Sequence, residues 1–336
     1  MQAERFSRRE FMRDAAAGVS VAALAEQVMA QTSGGAGLPV RVLGKTGAKV
    51  SILGVGGWNA RAIRDDAESI RYMHAAVDAG VTFFDNAWDY WDGEAEVIMG
   101  KALSMDGYRK KVFLMTKNCG RDYKDSMKCL DDSLRHLQTD HLDLWQFHEI
   151  NYDNDPDWVF ERGAIKAAME ARQAGKVRFV GFTGHKDPHI HLNMLAKPFE
   201  WDTCMMPINV MDAHFRSFQN QVLPVCLKRN IGVIGFKGLG GGEGTLLGKG
   251  GLTLAECLRY SLSLPIATQV VGMMSMAHLK QNIPILRNFK PMSPAEKSQV
   301  LARVKDVAGD GRYERFKTML MFDGPVHRKQ HGFPVD

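Results

Sequence analysis

The sequence predicts an α/β fold in which eight parallel strands alternate with helices and close into a barrel, the (β/α)8 or TIM barrel. Three apolar segments each end in a polar residue, Asp85, Lys117 and His148, and these residues lie 32 and 31 positions apart. That spacing matches the roughly 30-residue period of a strand–helix–strand unit. About 300 residues remain after the N-terminal leader described below, which suits a barrel of ~250 residues with additions at its ends.

Eight segments rich in apolar residues have the length of buried strands and are bounded by turn residues. These predicted strands are Ile52 to Val55, Val81 to Phe84, Lys111 to Met115, Leu142 to Phe147, Val177 to Phe182, Thr203 to Pro207, Gly232 to Phe236 and Ala267 to Val271. Before them, Val40 to Leu43 and Lys49 to Leu53 flank a Gly-Lys-Thr-Gly turn, a pattern typical of a β-hairpin. Ile52 to Val55 runs into Gly56, Gly57 and Trp58, which we interpret as a tight loop.

Helical patterns occupy the intervals between the predicted strands, as a parallel sheet with helical crossovers requires. The predicted helices are Ala67 to Asp78, Glu94 to Leu103, Tyr123 to Leu137, Asp157 to Gln173, His189 to Ala196, Phe218 to Arg229, Leu254 to Leu262 and Met276 to Leu286. The barrel is therefore expected over residues 39–290, with a helical C-terminal extension and tail over residues 291–336. Pro294 to Val307 is helical by pattern, whereas Asp323 to Asp336 has a loop-like composition and would either cover the pocket or lie on the surface.

The first 30 residues have the features of an export signal. Ser7 to Met12 reads SRREFM, the pattern of a twin-arginine signal, and a small apolar stretch from Ala15 to Ala25 follows it. Small residues at Val28 and Ala30 suit cleavage after residue 30, and residues 31–38 read as a linker. We expect an exported, periplasmic or extracytoplasmic protein that uses the twin-arginine machinery, which carries folded cargo. The alternative is a basic amphipathic helix on a cytoplasmic enzyme.

Composition excludes several other classes. The net charge of +5 is modest and lies partly in the leader, so it does not point to nucleic acid. No apolar run of ~20 residues follows the leader, so the mature chain is not expected to span a membrane. The five cysteines, at positions 119, 129, 204, 226 and 257, show no close pairing such as CxxC. They indicate buried thiols, and we expect neither a zinc site nor an iron–sulfur cluster.

The stretch from Val81 to Glu96, VTFFDNAWDYWDGEAE, places an acid and a tyrosine where a strand ends, at Asp85 and Tyr90. Lys117 and His148 end the next two predicted strands, in KVFLMTK and LDLWQFH. The carboxyl ends of barrel strands carry the chemistry in this fold, and neighbouring strands would bring the four side chains to one rim. The arrangement resembles the aldo-keto reductase superfamily, whose active site is an Asp, Tyr, Lys and His tetrad on a TIM barrel. The resemblance covers about residues 39–290.

The resemblance implies that Asp85, Tyr90, Lys117 and His148 are catalytic. A tyrosine with its usual pKa near 10 is a poor proton donor at neutral pH, and a neighbouring ammonium would lower that pKa. Lys117 would do this for Tyr90, Asp85 would hold the ammonium, and His148 would hydrogen-bond the substrate carbonyl oxygen. The implied reaction interconverts an aldehyde or ketone and an alcohol by hydride transfer. Each residue alone has a structural explanation, but the four together favour catalysis.

Three tryptophans are predicted to wall the substrate pocket: Trp58 after the first strand, and Trp88 and Trp91 on either side of Tyr90. Such a pocket can stack on a flat or sugar-like face. Trp91 departs from the small residue common at this position in the family. Trp58 has the alternative interpretation of ordinary packing.

The family resemblance also implies the cofactor residues. Thr183 would bind the nicotinamide amide, beside Gly184, which replaces the family's asparagine. Asn209 matches a glutamine that holds the other side of the amide, and Phe236 matches an aromatic residue that stacks on the nicotinamide ring. Asn209 can instead be a buried turn residue, and Phe236 can be barrel packing.

The rest of the nucleotide is assigned to two segments. Gly238, Leu239 and Gly240 lie where the family places its pyrophosphate loop, although a glycine run is also typical of a flexible loop. Gln281 and Asn282 resemble the adenosine-binding segment.

The basic pair that usually binds a 2′-phosphate is replaced here by Met273 and His278, and Lys237 or Lys280 can substitute for it. NADP(H) is favoured by the resemblance, NAD(H) stays open, and no metal is expected. The sequence thus predicts an exported NAD(P)-dependent oxidoreductase acting on a small carbonyl or sugar-like substrate. The alternative is an exported TIM-barrel isomerase or carbohydrate-binding protein without nicotinamide chemistry.

Overall fold

A closed barrel of eight parallel strands forms the centre of the computed structural model, which describes residues 37–241 and 244–335 together with Glu26, Val28 and Met29. The predicted export signal and most of the predicted linker lie outside the described residues, as does Gly242 of the glycine run. The ten strands are β1 Val40–Val42, β2 Lys49–Ser51, β3 Leu53–Gly56, β4 Phe83–Asp85, β5 Phe113–Asn118, β6 Leu142–Phe147, β7 Val177–Thr183, β8 Thr203–Pro207, β9 Gly232–Phe236 and β10 Thr268–Val271.

Strands β3 to β10 pair in chain order, each parallel to the next, and β10 returns to β3 with Val270 opposite Gly54. β1 and β2 form a separate antiparallel hairpin. The predicted fold is confirmed. Because all eight strands run in one direction, their carboxyl ends open at one mouth, and the residues that follow them become neighbours.

The helices lie between the strands and after the barrel. Their bounds are Gly57–Ala62, Asp66–Asp78, Glu94–Ser104, Tyr123–His136, Asp155–Glu161, Ala164–Gln173, Pro188–Leu195, Phe218–Gln221, Leu223–Lys228, Leu254–Leu262, Met276–Arg287, Pro294–Ala308, Arg315–Thr318 and Pro325–Gln330. Tyr123–His136 shows why these segments are helical. Asp122 caps it by accepting a hydrogen bond from the Asp125 backbone N–H at 2.8 Å, and Ser126, Cys129 and Leu130 form its buried face.

Four local predictions are corrected. The predicted loop at Gly57 is a short helix, Gly57–Ala62. The single helix predicted over 157–173 is two helices, because Gly163 adopts a left-handed conformation (φ 85°) between them. The helix predicted over 218–229 breaks at Val222, next to Pro224. The tail from Asp323, predicted to be loop-like, contains the helix Pro325–Gln330.

The hairpin fills the end of the barrel opposite the mouth. Leu43 and Val50 are fully buried and belong to one apolar cluster with strand residues that include Phe83, Phe113 and Ile234. Burying each of these large side chains contributes about 1.5–3 kcal/mol to folding. The interior of the barrel at this end is therefore filled by apolar side chains, and the polar side chains of the candidate site lie at the mouth.

The C-terminal extension crosses the mouth after the helix Pro294–Ala308. Its buried side chains include Glu314, Phe316, Lys317, Asp323 and His327, and they contact residues that follow five of the barrel strands. Of the two interpretations of the tail, the structure supports the first, because the tail lies across the mouth of the barrel. Within the described part of the chain, no helix is both long and apolar enough to span a membrane.

Candidate active site

A buried ion pair between neighbouring strands anchors the site. Lys117, on β5, is fully buried, and its Nζ donates to Asp85 Oδ1 at 2.5 Å and to the backbone carbonyl of Asn86 at 2.8 Å. The third neighbour of Nζ is the hydroxyl of Tyr90 at 3.3 Å. An ammonium with three oxygen partners is fully satisfied, which is the condition for tolerating a buried charge. The structure therefore brings Asp85, Tyr90 and Lys117 together as predicted.

Tyr90 reaches the ammonium because of an unusual turn. Tyr90–Gly93 is a 3₁₀ turn in which Trp91 and Asp92 adopt left-handed backbone conformations (φ 54° and 52°). Such conformations are unfavourable for residues with side chains and cluster at functional sites. Glu149 and Lys237, which follow β6 and β9, also have positive φ angles, of 46° and 56°. Left-handed non-glycine residues therefore occur at the mouth, although others precede strands at the opposite end of the barrel.

The predicted lowering of the Tyr90 pKa by Lys117 is outweighed by other features of the site. Burial, followed by the charges of Asp85, Asp89 and Glu149, raises the pKa of Tyr90 well above its usual value. Asp85 also lies closer to the ammonium than the phenol does, so it compensates much of the positive charge that would otherwise lower the pKa of Tyr90. Tyr90 is therefore an uncharged phenol at neutral pH, which is the form that can give up a proton.

His148 lies against Tyr90, with the two ring centroids 5.4 Å apart in an edge-on arrangement. Its Nδ1 is surrounded by three other groups: Asp89 Oδ1 at 3.0 Å, Cys119 Sγ at 3.5 Å and Nε2 of His327 at 3.4 Å. His327 was missed by the sequence reasoning because it lies 179 residues from His148, in a tail with no motif. Asp89 and Cys119 were missed as well, although both directly follow strands of the tetrad.

Two of the three predicted pocket tryptophans flank Tyr90. Trp58 packs edge-on against Tyr90 at 5.4 Å and leaves 47% of its surface exposed. The indole N–H of Trp91 donates to the Trp58 carbonyl at 3.0 Å. Trp88 is not part of this wall, because its indole N–H donates to Asp132 on the helix Tyr123–His136. The exposed aromatic surface is therefore formed by Trp58 and Trp91.

The predicted amide-binding residues differ in their freedom to bind a ligand. Thr183 is buried, and its Oγ1 has no hydrogen-bond partner among the described residues. A Cβ on Gly184 would lie 2.2 Å from the backbone oxygen of Ile150, so no side chain fits there. Asn209 is already occupied: its Oδ1 accepts from two backbone N–H groups, and its Nδ2 donates to Glu314 at 2.8 Å. While Glu314 keeps this contact, Asn209 has only the second hydrogen of Nδ2 left for a ligand.

Lys237 is a cation without a carboxylate partner among the described residues. Its Nζ lies 4.8 Å from the ring centre of Phe236 and 5.3 and 5.8 Å from those of Phe316 and Phe322 in the extension. Burial lowers the pKa of Lys237 to about 8. Lys237 is half-buried, and the carboxylates that act on its charge lie beyond ion-pair distance, so its ammonium can still bind an anion.

The two segments assigned to the rest of the nucleotide are only partly arranged for it. Gly238, Leu239 and Gly240 are buried directly after β9. Asn282 is buried, with its Nδ2 bound to the His278 carbonyl at 2.7 Å and its Oδ1 unpartnered within the described chain. Gln281 is exposed. Met273, one of the two residues that stand in place of the family's basic pair, is fully buried. The ring of His278, the other one, accepts a hydrogen bond from the Met274 N–H at 3.2 Å, and Lys280 is exposed.

A nicotinamide dinucleotide therefore fits part of this site. Thr183 Oγ1, the Lys237 ammonium and Asn282 Oδ1 are polar groups still available to a ligand in the described chain. The side chain of Asn209 is largely occupied, since its oxygen has two donors and the extension takes one hydrogen of its amide.

The sequence matches the model of the Aldo/keto reductase family over residues 52–256. It is 31% identical to L-galactose dehydrogenase of Arabidopsis thaliana over 160 residues, which are 44% of this chain and 49% of that protein. It is 30% identical to aldo-keto reductase YhdN of Bacillus subtilis over 194 residues, 53% of this chain and 55% of that protein. The chain thus spans about half the length of these curated relatives.

Solved structures share the fold. Aldo-keto reductase AKR11C1 from Bacillus halodurans, in its holo form, superposes with a TM-score of 0.67 at 23% identity, covering 79% of this chain and 96% of that one. An aldo/keto reductase from Klebsiella pneumoniae in complex with NADP and acetate gives a TM-score of 0.63 at 21% identity, covering 79% and 95%. The family match extends over more than half of the sequence and includes the strands that carry Asp85, Lys117 and His148. The chain belongs to the aldo/keto reductase family.

Proposed function

We propose that the chain is an NAD(P)-dependent oxidoreductase that interconverts an aldehyde or ketone and an alcohol, with Tyr90 as the general acid and base. The observation that carries the proposal is the buried Asp85–Lys117 pair with the Tyr90 hydroxyl 3.3 Å from the ammonium. This is a proton donor held beside a fixed cation at the mouth of a barrel. Membership of the family and the names of the matched dehydrogenase and reductase support it.

The chemistry follows from these side chains. A bound nicotinamide cofactor supplies or accepts the hydride. In the reductive direction the carbonyl carbon gains that hydride, the C=O π bond opens, and the oxygen takes the phenolic proton of Tyr90. Lys117 stabilises the resulting phenolate, and Asp85 keeps the ammonium in place. His148 hydrogen-bonds the carbonyl oxygen, and Tyr90 recovers its proton from solvent.

The cofactor would be held by residues on both sides of Tyr90. Thr183 and a released Asn209 would bind the amide, Phe236 would pack on the ring, and Lys237 would contact a phosphate. The pyrophosphate and adenosine would lie along the glycine segment and the start of the last barrel helix: Gly238, Leu239, Gly240, Gln281 and Asn282. Lys237 favours NADP(H), because it is a half-buried cation with no carboxylate within ion-pair distance in the described chain. NAD(H) is the alternative.

A sugar or another flat polyol fits the aromatic surface beside Tyr90. Trp58 offers nearly half its surface to solvent, and Trp91 is tilted against it with ring centres 5.0 Å apart. Aromatic faces pack on the apolar face of a sugar ring. A relative named for L-galactose supports this substrate class.

The test is the Tyr90→Phe variant. Turnover of a panel of aldehydes and aldoses should fall by ~10²–10⁴-fold because the proton donor is lost. Nucleotide affinity, measured by quenching of tryptophan fluorescence, should stay within a factor of two. Unchanged turnover would remove Tyr90 from the mechanism. If the unmodified protein binds neither NADP(H) nor NAD(H), the cofactor-free isomerase or carbohydrate-binding alternative takes precedence.

We also propose that the chain is exported through the twin-arginine pathway, on the motif at Arg8 and Arg9. Cell fractionation of the full chain should find the mature protein outside the cytoplasm, and replacement of both arginines by lysine should retain it inside. If the unmodified chain and the double-lysine variant are found outside the cytoplasm in equal proportion, export by this route is contradicted.

A further inference from the structure

Four potential metal ligands converge at Nδ1 of His148. Asp89, Cys119, His148 and His327 each direct one ligand atom to the same point, and these atoms all lie within 4.8 Å of one another. Their side chains are almost fully buried, with Asp89 the most exposed at 7%. We refer to them as the Asp-Cys-His-His cluster. Three members follow barrel strands, and His327 comes from the C-terminal extension.

The separations within the cluster are those of a tetrahedral metal site. With Zn–N near ~2.0–2.1 Å and Zn–S near ~2.3 Å, ligand atoms at the corners of a tetrahedron lie roughly 3.3–3.6 Å apart. The two imidazole nitrogens are 3.4 Å apart, and Cys119 Sγ is 3.5 Å from His148 Nδ1. The carboxylate oxygens of Asp89 lie 3.0 Å from His148 Nδ1 and 3.9 Å from His327 Nε2. An ion at the centre would need only small shifts of these atoms.

Hydrogen bonds alone do not account for this packing. One ring nitrogen carries either one proton or one lone pair, yet His148 Nδ1 has three polar neighbours within 3.5 Å. Asp89 Oδ1 is buried, and although it is 3.0 Å from His148 Nδ1, it receives no hydrogen bond of acceptable geometry from the described residues. Such a buried carboxylate oxygen is costly unless something else satisfies it. A cation bound by all four atoms satisfies it.

We propose that the Asp-Cys-His-His cluster binds one divalent metal ion, and that the ion is zinc. One thiolate, two imidazoles and one carboxylate in tetrahedral reach form a ligand set that zinc accepts, and the thiolate disfavours magnesium and calcium. The two negative ligands balance the charge of the ion. The site differs from the spacing patterns by which zinc sites are recognised in sequence, because its ligands come from four distant segments.

A second cluster of acidic and histidine side chains lies nearby, but its carboxylate groups already have hydrogen-bond donors. Glu149, His185 and Asp323 also approach one another within 4.8 Å. However, Asp323 accepts from Tyr152 Oη at 2.5 Å and pairs with Lys186 at 2.8 Å, and Glu149 accepts from the Gly324 N–H at 2.9 Å. These carboxylates are already satisfied by donors. The second cluster is therefore a satisfied hydrogen-bond network, whereas the first contains a buried carboxylate oxygen without a donor among the described residues.

Residues around the Asp-Cys-His-His cluster hold its ligands in place. Arg121 pairs with Asp155 at 2.7 Å and donates from Nη2 to the backbone carbonyls of His148 and Glu149 at 2.7 and 2.9 Å. Nη2 also donates to Nδ1 of His327 at 3.4 Å, so this nitrogen is an acceptor and the ring proton lies on Nε2. Metal binding at Nε2 would move that proton to Nδ1, and Arg121 would then give up this long contact and keep its two carbonyl partners.

A metal at this place has a consequence that rests on the proposed function. Metal binding at Nδ1 of His148 puts the ring proton on Nε2, so that Nε2 becomes a hydrogen-bond donor. A donor is what the substrate carbonyl oxygen needs. The same ion would fix His327 and thus hold the extension across the mouth. We therefore assign Asp89, Cys119 and His327 as positioning residues for His148.

The test is metal binding by the full chain after treatment with a chelator. Titration with Co²⁺ should show one equivalent per chain, the intense visible bands of tetrahedral cobalt and a thiolate-to-cobalt charge-transfer band, and Zn²⁺ should displace it. Cys119→Ser should abolish the charge-transfer band. His327→Ala should keep that band and weaken binding by more than the ~10–100-fold that changes in outer-shell residues cause.

Two variants serve as matched controls. Cys129→Ser alters another buried thiol, and Asp323→Asn alters the neighbouring acidic cluster, and both should leave the cobalt spectrum and affinity unchanged. The proposal fails if the folded unmodified chain binds no cobalt, or if Cys119→Ser and His327→Ala bind it as well as the unmodified chain does. Neither readout involves nucleotide or substrate, so failure here is distinct from failure of the proposed oxidoreductase function.

Discussion

Two buried lysines at the barrel mouth have nearly the same surroundings and different consequences. Lys117 pairs with Asp85 at 2.5 Å, and Lys317 pairs with Asp212 at 2.7 Å; both ammonium groups are inaccessible to solvent. The third partner of Lys117 is the Tyr90 hydroxyl, whereas that of Lys317 is the carboxylate of Glu314. A buried ion pair is therefore not a catalytic signature by itself. The third partner of the ammonium distinguishes the two pairs. In one it is a phenol that can donate a proton, and in the other it is a carboxylate of the C-terminal extension.

The position of each lysine in the chain explains the difference. Lys117 lies on a barrel strand, and its partners Asp85 and Tyr90 follow the neighbouring strand, so the closed sheet fixes all three. Lys317 lies in the C-terminal extension and joins it to the loop after β8, where Asp212 and the carbonyl of Phe215 accept from it. The first lysine is part of the barrel wall, and the second holds a cover on the mouth.

The largest expected effect is that of Lys117→Met. Loss of the ammonium beside Tyr90 should lower turnover by ~10²–10⁴-fold, because the phenolate formed during reduction loses its stabilising charge. The measurement is turnover per folded enzyme, with the folded fraction taken from urea denaturation. A Lys117→Met enzyme that keeps more than about a tenth of the activity would remove the distinction between the two lysines.

Lys317→Met should act on stability. Removing one partner of a buried pair leaves Asp212 and Glu314 uncompensated, which costs about 3–5 kcal/mol. We expect either that loss in the free energy of unfolding or faster proteolysis confined to residues 309–335. The double variant Lys317→Met/Asp212→Asn should recover part of the loss. A variant with unchanged stability and an intact tail would show that Lys317 does not attach the extension.

His191 is a third buried basic side chain, and unlike the two lysines it has no carboxylate within ion-pair distance in the described part of the chain. His191 packs between Phe182 and Phe218, and burial lowers its pKa to about 3. Between that value and the usual 6.5, the unfolded chain binds a proton that the folded chain does not, so stability falls as the pH falls below 6.5. At pH 5 the loss is about 2 kcal/mol. The free energy of unfolding, measured by urea denaturation at pH 7.5 and pH 5, should fall by this amount for the unmodified chain and not for His191→Phe. Equal losses in the two proteins would contradict the prediction.

The smallest expected effect concerns Glu314, which uses the amide of Asn209. Glu314→Ala should free that amide and raise nucleotide affinity about 5-fold, the equivalent of ~1 kcal/mol for one hydrogen bond. Lys317 keeps Asp212 and the Phe215 carbonyl in this variant. Glu314→Gln is the matched control, since it retains an acceptor for Asn209 and should change affinity little. Equal affinities for all three proteins would mean that the extension does not compete with the cofactor.

The barrel and its tetrad could be predicted because both depend on local order. Asp85, Lys117 and His148 end consecutive strands about 31 residues apart, and parallel pairing then brings them to one rim. Trp88 could not be placed in this way. The direction of its side chain depends on the turn around Tyr90, whose left-handed residues have no signal in the sequence.

The cover of the mouth could not be predicted for a related reason. Glu314, Lys317 and His327 contact residues 105 to 238 positions earlier in the chain, and no periodic pattern marks such distant partners. The pKa of Tyr90 depends on the same distant arrangement, since Asp89 and Glu149 contribute to raising it. The motifs predicted that Asp85, Tyr90 and Lys117 lie together, but they could not predict the charges around them.

The most direct test of the central claim, that Tyr90 and Lys117 support hydride transfer at this mouth, is a single-turnover reaction with deuterated cofactor. NADPH or NADH carrying deuterium at the transferable position is mixed with excess enzyme and each aldehyde or aldose of the panel, and the alcohol is analysed by mass spectrometry. The account predicts one deuterium on the former carbonyl carbon with the unmodified chain and essentially none with Tyr90→Phe. Bound nucleotide with no deuterium transfer to any substrate, or equal transfer by both proteins, would contradict it.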